Sequence, residues 1–302
     1  MKLKQIKSIK AHNDIITSLS IFPISENIIS VGYENDKSIK IWNKDFILIQ
    51  NIEKAHETSI SDIDIKDENN FATSCWFSTI NIWNKNEKDN KFYLKETIKA
   101  HLYHTWISKI IFKLNGTLIS CGQDKTIRIW EICNNKYQCV TILNHNGTLK
   151  SILLLEEEKN IVSAGNDGTI FWNMEYYTID KNIKEALCYM TNALKRIGKD
   201  NIIVSGGIYH KLKVINIHQK IIIREIDNSF QCYDICEIPS FRLFFVCGGS
   251  KNIKIYREDN FESVQIITNA HNNFINGFLF LDNDIFLTYS YQTIKIWKLE
   301  IN

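Results

Sequence analysis

Proline is nearly missing from this chain, with two in 302 residues, and glycine is sparse at 12. Heavy use of Ile, Asn and Lys goes with this, and the pattern reads as codon bias of an AT-rich genome rather than as function. The few glycines lie mostly at turns, and no G-x-x-x-x-G-K-[ST], G-x-G-x-x-G, G-x-S-x-G or H-E-x-x-H stretch exists, so no phosphate-cradling loop, nucleophile elbow or zinc-protease helix is encoded. Charge of one sign is lacking too: 36 basic and 34 acidic side chains leave +2, with no bulk electrostatic reason to bind nucleic acid or a membrane surface. No run of eighteen apolar residues occurs, and "MKLKQIKSIKAHND" has no apolar core of a secretory signal. A cytoplasmic chain is expected, with the nucleus as the alternative. Eight cysteines are present but no CxxC pair, and the Cys133/Cys139 and Cys232/Cys236 spacings match no common zinc module. Reduced, structural thiols are expected, with Cys75, Cys121 and Cys247 each following one repeated position on a buried strand. No metal or cofactor is expected.

What is present is a period. Short alternating runs end in a bulky residue: SIKIW at Trp42, TINIW at Trp83, TIRIW at Trp130, TIFW at Trp172, KLKVI at Ile215, NIKIY at Tyr256 and TIKIW at Trp297. Successive endpoints are 41, 47, 42, 43, 41 and 41 residues apart, giving seven units that cover residues 1–302 as one domain. Alternation in period two with β-branched residues is the mark of a half-buried strand, and turn residues precede each run. Earlier in each unit stands another apolar run such as "NIISVG", "TLISCG" or "NIVSAG". Asn115-Gly116 reads as a hairpin turn, and Glu156-Glu157-Glu158 as a solvated one. A single small sheet cannot bury both faces, so the units must pack on one another.

A second mark recurs: Ala11-His12, Ala55-His56, Ala100-His101, Asn144-His145 and Ala270-His271. With the strand Ser, turn Asp and strand-end Trp, these residues resemble WD40 repeats. The resemblance implies an all-β, seven-bladed β-propeller with four antiparallel strands per blade. Its closure would come from "LKQIKSI", residues 3 to 9, pairing with the C-terminal blade. It also implies a polar chain from Asp through His and Ser to the Trp indole. Complete sets occur in unit one (His12, Ser30, Asp36, Trp42), unit three (His101, Ser120, Asp124, Trp130) and unit four (His145, Ser163, Asp167, Trp172). Units two and seven keep His56, Ser74, Trp83 and His271, Thr288, Trp297 but lack the Asp, and units five and six have neither His nor Trp. These histidines are therefore structural rather than ligands or bases. In Asp-free unit two, removing the Ser78 hydroxyl is expected to cost far less than removing Asp124.

In that register, the loops on the His/Asp side carry Tyr33, Trp76, Phe77, Tyr103, His104, Trp106, Tyr209, His210, Tyr289 and Tyr291. Rim aromatics are typical interaction hot spots. Trp76, Phe77 and Trp106 are expected to converge on one patch, with Tyr33 at its edge. The resemblance thus implies a non-enzymatic scaffold binding a partner protein or peptide on this top face, within a multi-subunit assembly. Two alternatives belong to the same family. "KTIRIWEICNNKYQCVTILNH" and "IKIYREDNFESV" are similar to cytosolic iron–sulfur assembly WD40 proteins, which implies an assembly-targeting adaptor. A ubiquitin-ligase substrate receptor is the other, although no F-box or other ligase-recruiting segment accompanies it. A propeller-funnel enzyme would need acid, base or metal ligands converging on the channel, and the sequence shows none.

Overall fold

The computed structural model describes residues 2–157, 159–184, 191–205, 210–281 and 284–300. Its strands form seven four-stranded sheets, antiparallel throughout, one for each unit. The chain divides into two compact units. The first, His12–Glu156, holds sheet one (Ile16–Ile21, Ile28–Gly32, Ile39–Trp42, Leu48–Ile52), sheet two (Ile60–Asp67, Asn70–Cys75, Thr79–Lys85, Phe92–Lys99) and sheet three (Ile107–Phe112, Leu118–Gly122, Thr126–Cys133, Lys136–Asn144), with the opening strand of sheet four, Leu149–Leu155. The second, Met1–Ala11 with Glu157–Asn302, holds the other strands of sheet four (Asn160–Gly165, Gly168–Asn173, Thr178–Ile183). It also holds sheet five (Leu194–Ile197, Asn201–Ser205, Lys211–Asn216, Ile221–Asp227) and sheet six (Cys232–Ile238, Leu243–Gly248, Ile253–Arg257, Ser263–Ile267). Sheet seven combines Ile275–Phe280, Ile285–Ser290 and Thr293–Glu300 with the N-terminal strand Lys2–Lys10.

Within a sheet, burial follows strand position. Second strands such as IISVG, LISCG and LFFVCG are buried at every residue, which is why they read as unbroken apolar runs rather than alternating ones. Fourth strands are the exposed edges. Neighbouring sheets share cores: Phe22, Ile29 and Val31 of sheet one meet Ile63, Phe71 and Trp83 of sheet two. In the other unit, Phe245 and Ile255 of sheet six meet Phe278, Phe286 and Trp297 of sheet seven, and Leu3 packs against that cluster.

The repeat endpoints have a geometric meaning. The pairing between third and fourth strands shifts register immediately before Trp42, Trp83, Trp130, Trp172, Ile215 and Tyr256. In sheet seven the same irregularity falls between Gln5 and Lys7, beside Trp297. A β-bulge adds one residue to a strand and re-aims its side chains, so the bulky residue marks the same kink in every sheet.

The expected closure is present. Lys2–Lys10 runs antiparallel to Thr293–Glu300, with Leu3 opposite Leu299 and Ile9 opposite Ile294. The Asn115-Gly116 turn also forms, with Gly116 N–H donating to the Lys113 carbonyl at 2.8 Å and Thr117 N–H to Asn115 Oδ1 at 3.1 Å.

Candidate functional site

The polar chain is built strand by strand. In sheet three, Trp130 Nε1–H donates to Ser120 Oγ at 3.0 Å, and Ser120 Oγ lies 2.7 Å from His101 Nε2. His101 Nδ1 is 2.8 Å from Asp124, which also accepts from the Thr126 amide (3.1 Å) and hydroxyl (2.8 Å), the Leu102 amide (3.2 Å) and Arg128 (3.2 Å). Sheet one repeats this with His12, Ser30 and Trp42, and Asp36 accepts from the Asn13 and Ser38 amides. Burial drives both imidazoles below their ordinary pKa, so they are neutral, with Nδ1–H facing the carboxylate and Nε2 accepting from serine. Burial alone would raise the Asp36 and Asp124 carboxyls. The His12 and His101 rings and the surrounding amides and hydroxyls outweigh it and hold both well below the usual range. In sheet four Trp172 donates to Ser163 at 2.8 Å, His145 is buried and Asp167 is half-buried.

Three departures from the sequence reading follow. First, the hydroxyl of sheet two is Thr73, not Ser74: Trp83 Nε1–H and His56 Nε2 meet Thr73 Oγ1 at 2.9 and 2.8 Å. Side chains alternate across a strand, so Ser74 points the other way and bonds to Ser61. Thr73 stands opposite Ile63 as Ser120 stands opposite Ile110, so Cys75 takes the register of Gly122, not that of Cys121. Second, Ser78 is not idle. Its hydroxyl lies 2.5 Å from the Leu102 carbonyl and 3.1 Å from that of Thr105, and Thr105 N–H returns a bond at 3.2 Å. Third, sheet six keeps a polar link without His or Trp. Tyr256 O–H donates to Asn228 Oδ1 at 2.9 Å, and both residues are fully buried. Asn228 stands four residues before its first strand, as His12, His56 and His271 do before theirs, and that spacing is the signal that could have found it.

The rim aromatics fall into two clusters rather than one. Tyr33 meets Trp76 edge-on, with centroids 4.9 Å apart, and Trp76 stacks on Trp106 at 4.3 Å and 16°. Lys150 Nζ lies 5.2 Å from the Trp106 centroid. Tyr33 and Trp76 follow the second strands of sheets one and two, and their amides bond to the Ile15 and Ser59 carbonyls, which ties both residues to the starts of the first strands. Trp106 precedes the first strand of sheet three, where a side chain on Gly122 would come within 2.3 Å of its carbonyl. Phe77, next to Trp76, turns away and packs edge-on against Tyr103 (5.3 Å) and His104 (4.4 Å).

Tyr291 is exposed and His210 is exposed, whereas Tyr289 is not a loop residue. It lies on the strand Ile285–Ser290, only 7% exposed, with its ring over Gly277, where no side chain competes for the space. Tyr209 lies outside the described residues.

Residues 3–43 and 92–131 match the family model for the WD domain, G-beta repeat. Those two stretches match WD40 repeats. Along 99% of its length the chain superposes on 97% of a crystal structure of the WD40 beta propeller domain of Doa1, with a TM-score of 0.80 at 16% identity. The fold is therefore a seven-bladed β-propeller, and each sheet is a blade. Among curated relatives, Mitochondrial division protein 1 of Candida glabrata is 29% identical over 144 residues, 45% of this chain and 19% of that protein. Nuclear distribution protein nudF of Aspergillus niger is 26% identical over 163 residues, 52% of this chain and 35% of that one. The chain thus matches about a fifth to a third of each relative's length.

Among the described residues, seven cysteines are free and no His/Cys/Asp/Glu group is arranged to hold a metal. Burial raises the Cys121 and Cys247 thiols far above the usual range and Cys236 to about 12, so these sulfurs are inert core atoms. No described helix is long and apolar enough to cross a membrane.

Proposed function

We propose that this propeller is a non-enzymatic scaffold that holds a protein partner, as part of a larger assembly, on the ladder Tyr33–Trp76–Trp106. WD40 propellers generally serve as protein-interaction platforms. The observation that supports this site is that three consecutive blades each contribute one ring to a continuous row, Tyr33 edge-on to Trp76 and Trp76 stacked on Trp106, which is 37% exposed and carries Lys150 at its end. Stacked, partly exposed aromatics offer large contact area at low side-chain entropy cost, the profile of an interface anchor. Neither the iron–sulfur adaptor reading nor the ligase-receptor reading gains an observation from the geometry, and neither is adopted.

Removing a hot-spot aromatic costs about 2 kcal/mol or more, roughly thirtyfold in affinity. Trp76→Ala with Trp106→Ala is expected to lose the principal partner in affinity purification with quantitative mass spectrometry, while circular dichroism stays that of the parent. Lys88→Ala with Lys91→Ala, exposed at the other end of blade two, serves as the control and is expected to keep it. An unchanged partner set from the double tryptophan variant sinks the assignment.

A further inference from the structure

Blade two has lost a carboxylate but kept the cradle built for one. In blades one and three the turn Asp accepts from the amide after the His (Asn13, Leu102), the amide of the third-strand Ser or Thr (Ser38, Thr126) and His Nδ1. The same donor positions recur in blade two as Glu57, Thr79 and His56, with Phe77 at the Asp position. The Phe77 ring has turned aside onto Tyr103 and His104. His56 is 6% exposed and still bound to Thr73 through Nε2, and its Nδ1 has Thr79 Oγ1 at 3.5 Å, a poor substitute for the 2.8 Å carboxylate of blade three.

A cavity of about 530 Å³ opens at this spot, lined by His56, Phe77, Ser78 and Thr79 together with Lys54 and Lys99. Glu57 also lines it and its charge offsets one of the two lysines, and His101, another lining residue, is already engaged by its own Asp124. Asn81, where blade three has Arg128, is neutral and committed to Ala55 and Thr97. The cradle therefore presents donors and a net positive rim. Its volume exceeds that of one carboxylate and suits an acidic side chain with its flanking backbone.

We propose that this cavity receives an aspartate or glutamate side chain of a partner protein, which supplies from outside the carboxylate that blades one and three carry within the chain. The proposal rests on the scaffold reading above but not on the aromatic ladder. A partner would thereby complete the polar set of blade two, coupling binding to the rigidity of that blade's turn. Burial holds the His56 ring at a pKa of about 3, and an arriving carboxylate would raise it, as Asp36 and Asp124 do for His12 and His101.

The test uses the full chain, labelled with ¹⁵N, and two blocked tripeptides, acetyl-Gly-Asp-Gly-amide and its Asn counterpart. The Asp peptide is expected to shift the His56 Nδ1 and Glu57 amide resonances, and the Asn peptide to bind at least about tenfold more weakly, since charge-assisted bonds are roughly twice as strong as neutral ones. Phe77→Asp fills the cradle from within and is expected to abolish the titration and raise Tm. Lys54→Glu with Lys99→Glu, on exposed side chains, is expected to weaken the Asp peptide about tenfold and decides the matter should Phe77→Asp fail to fold. Equal binding of the Asn peptide, parent-like binding by either variant, or no shift with the Asp peptide overturns the proposal. Trp76→Ala with Trp106→Ala is expected to bind the Asp peptide like the parent, so that failure of the ladder and failure of the cradle register separately.

Discussion

The Asp124 side chain has no exposed surface and accepts from a ring, two amides, a hydroxyl and a guanidinium. Asp124→Ala strands several of those donors at once and is expected to destabilise by about 3 kcal/mol, as breaking a buried charge pair does. Ser78→Ala removes one hydroxyl that joins blade two to the loop of blade three, and about 1–2 kcal/mol is expected. Denaturant unfolding of the two variants checks this ranking, and a Ser78→Ala variant with parental stability would show that the inter-blade bond adds nothing. Protonation adds a signed test. His56 and His271 have folded pKa values of about 3 against 6.5 for the free ring, because burial penalises the charged imidazolium. Their contribution is present above about pH 6.5 and is lost as pH falls toward 3. Asp64 runs the other way. Burial lifts it from 3.8 to about 7, and Asp62 adds to the rise, although the Phe112 amide and Lys109 oppose it. Its contribution is present below about pH 4 and is lost as pH rises through 7. Asp64→Asn keeps an acceptor for Phe112 N–H and removes the ionisation. This variant is expected to gain stability relative to the parent between pH 4 and 7, measured by urea midpoints. A constant difference across that range would refute the shift.

At the scale of single strands and turns, what could be read depended on whether a residue's partner was local. The third strands were legible because alternation and a bulky end residue recur, each beside the same register shift. Ser74 was misplaced because Thr73 and Ser74 are both small hydroxyl residues on one buried strand, and only the pairing with Ile63 shows which faces the indole. Asn228 and Tyr256 were invisible as a pair because neither is the family residue, although together they span the distance that His, Ser and Trp cover elsewhere. Tyr256→Phe leaves Asn228 Oδ1 buried without that donor and is expected to cost about 1–2 kcal/mol, whereas a neutral result would mean Tyr256 is held by packing on Phe244 alone. The split of Trp76 from Phe77 was equally hidden: spacing assigns both to one turn but cannot say that their rings leave it in different directions. The strand Lys2–Lys10 was legible by elimination, since the seven units leave one strand missing at the end. Deleting residues 2–10 uncovers the backbone edge of Thr293–Glu300 along with Ile294 and Ile296. Soluble oligomers or aggregates are expected by size-exclusion chromatography, and a monomer of parental Tm would count against closure.

For the whole molecule, the period of about forty residues was sufficient for blade number and strand count, because each sheet must bury its faces on its neighbours and the count of units becomes the count of blades. It said nothing of the partner, because the residues proposed to contact it break the repeat: Trp76, Trp106 and Phe77 stand where the pattern asks for nothing or for Asp. The pairing of Lys2–Lys10 with Thr293–Glu300 also sets a schedule. The two strands lie about 280 residues apart in the chain, so at ribosomal rates of roughly 5–20 residues per second the earlier one waits on the order of 15–60 seconds for its mate. During that wait it has no strand to pair with, while other nascent chains are near. Lys2, Lys4, Lys7 and Lys10 load it with like charge, which discourages premature pairing with a stranger. A chain whose translation stops short of Thr293 never supplies the mate, and its charged segment stays open to proteases that the paired strand would exclude.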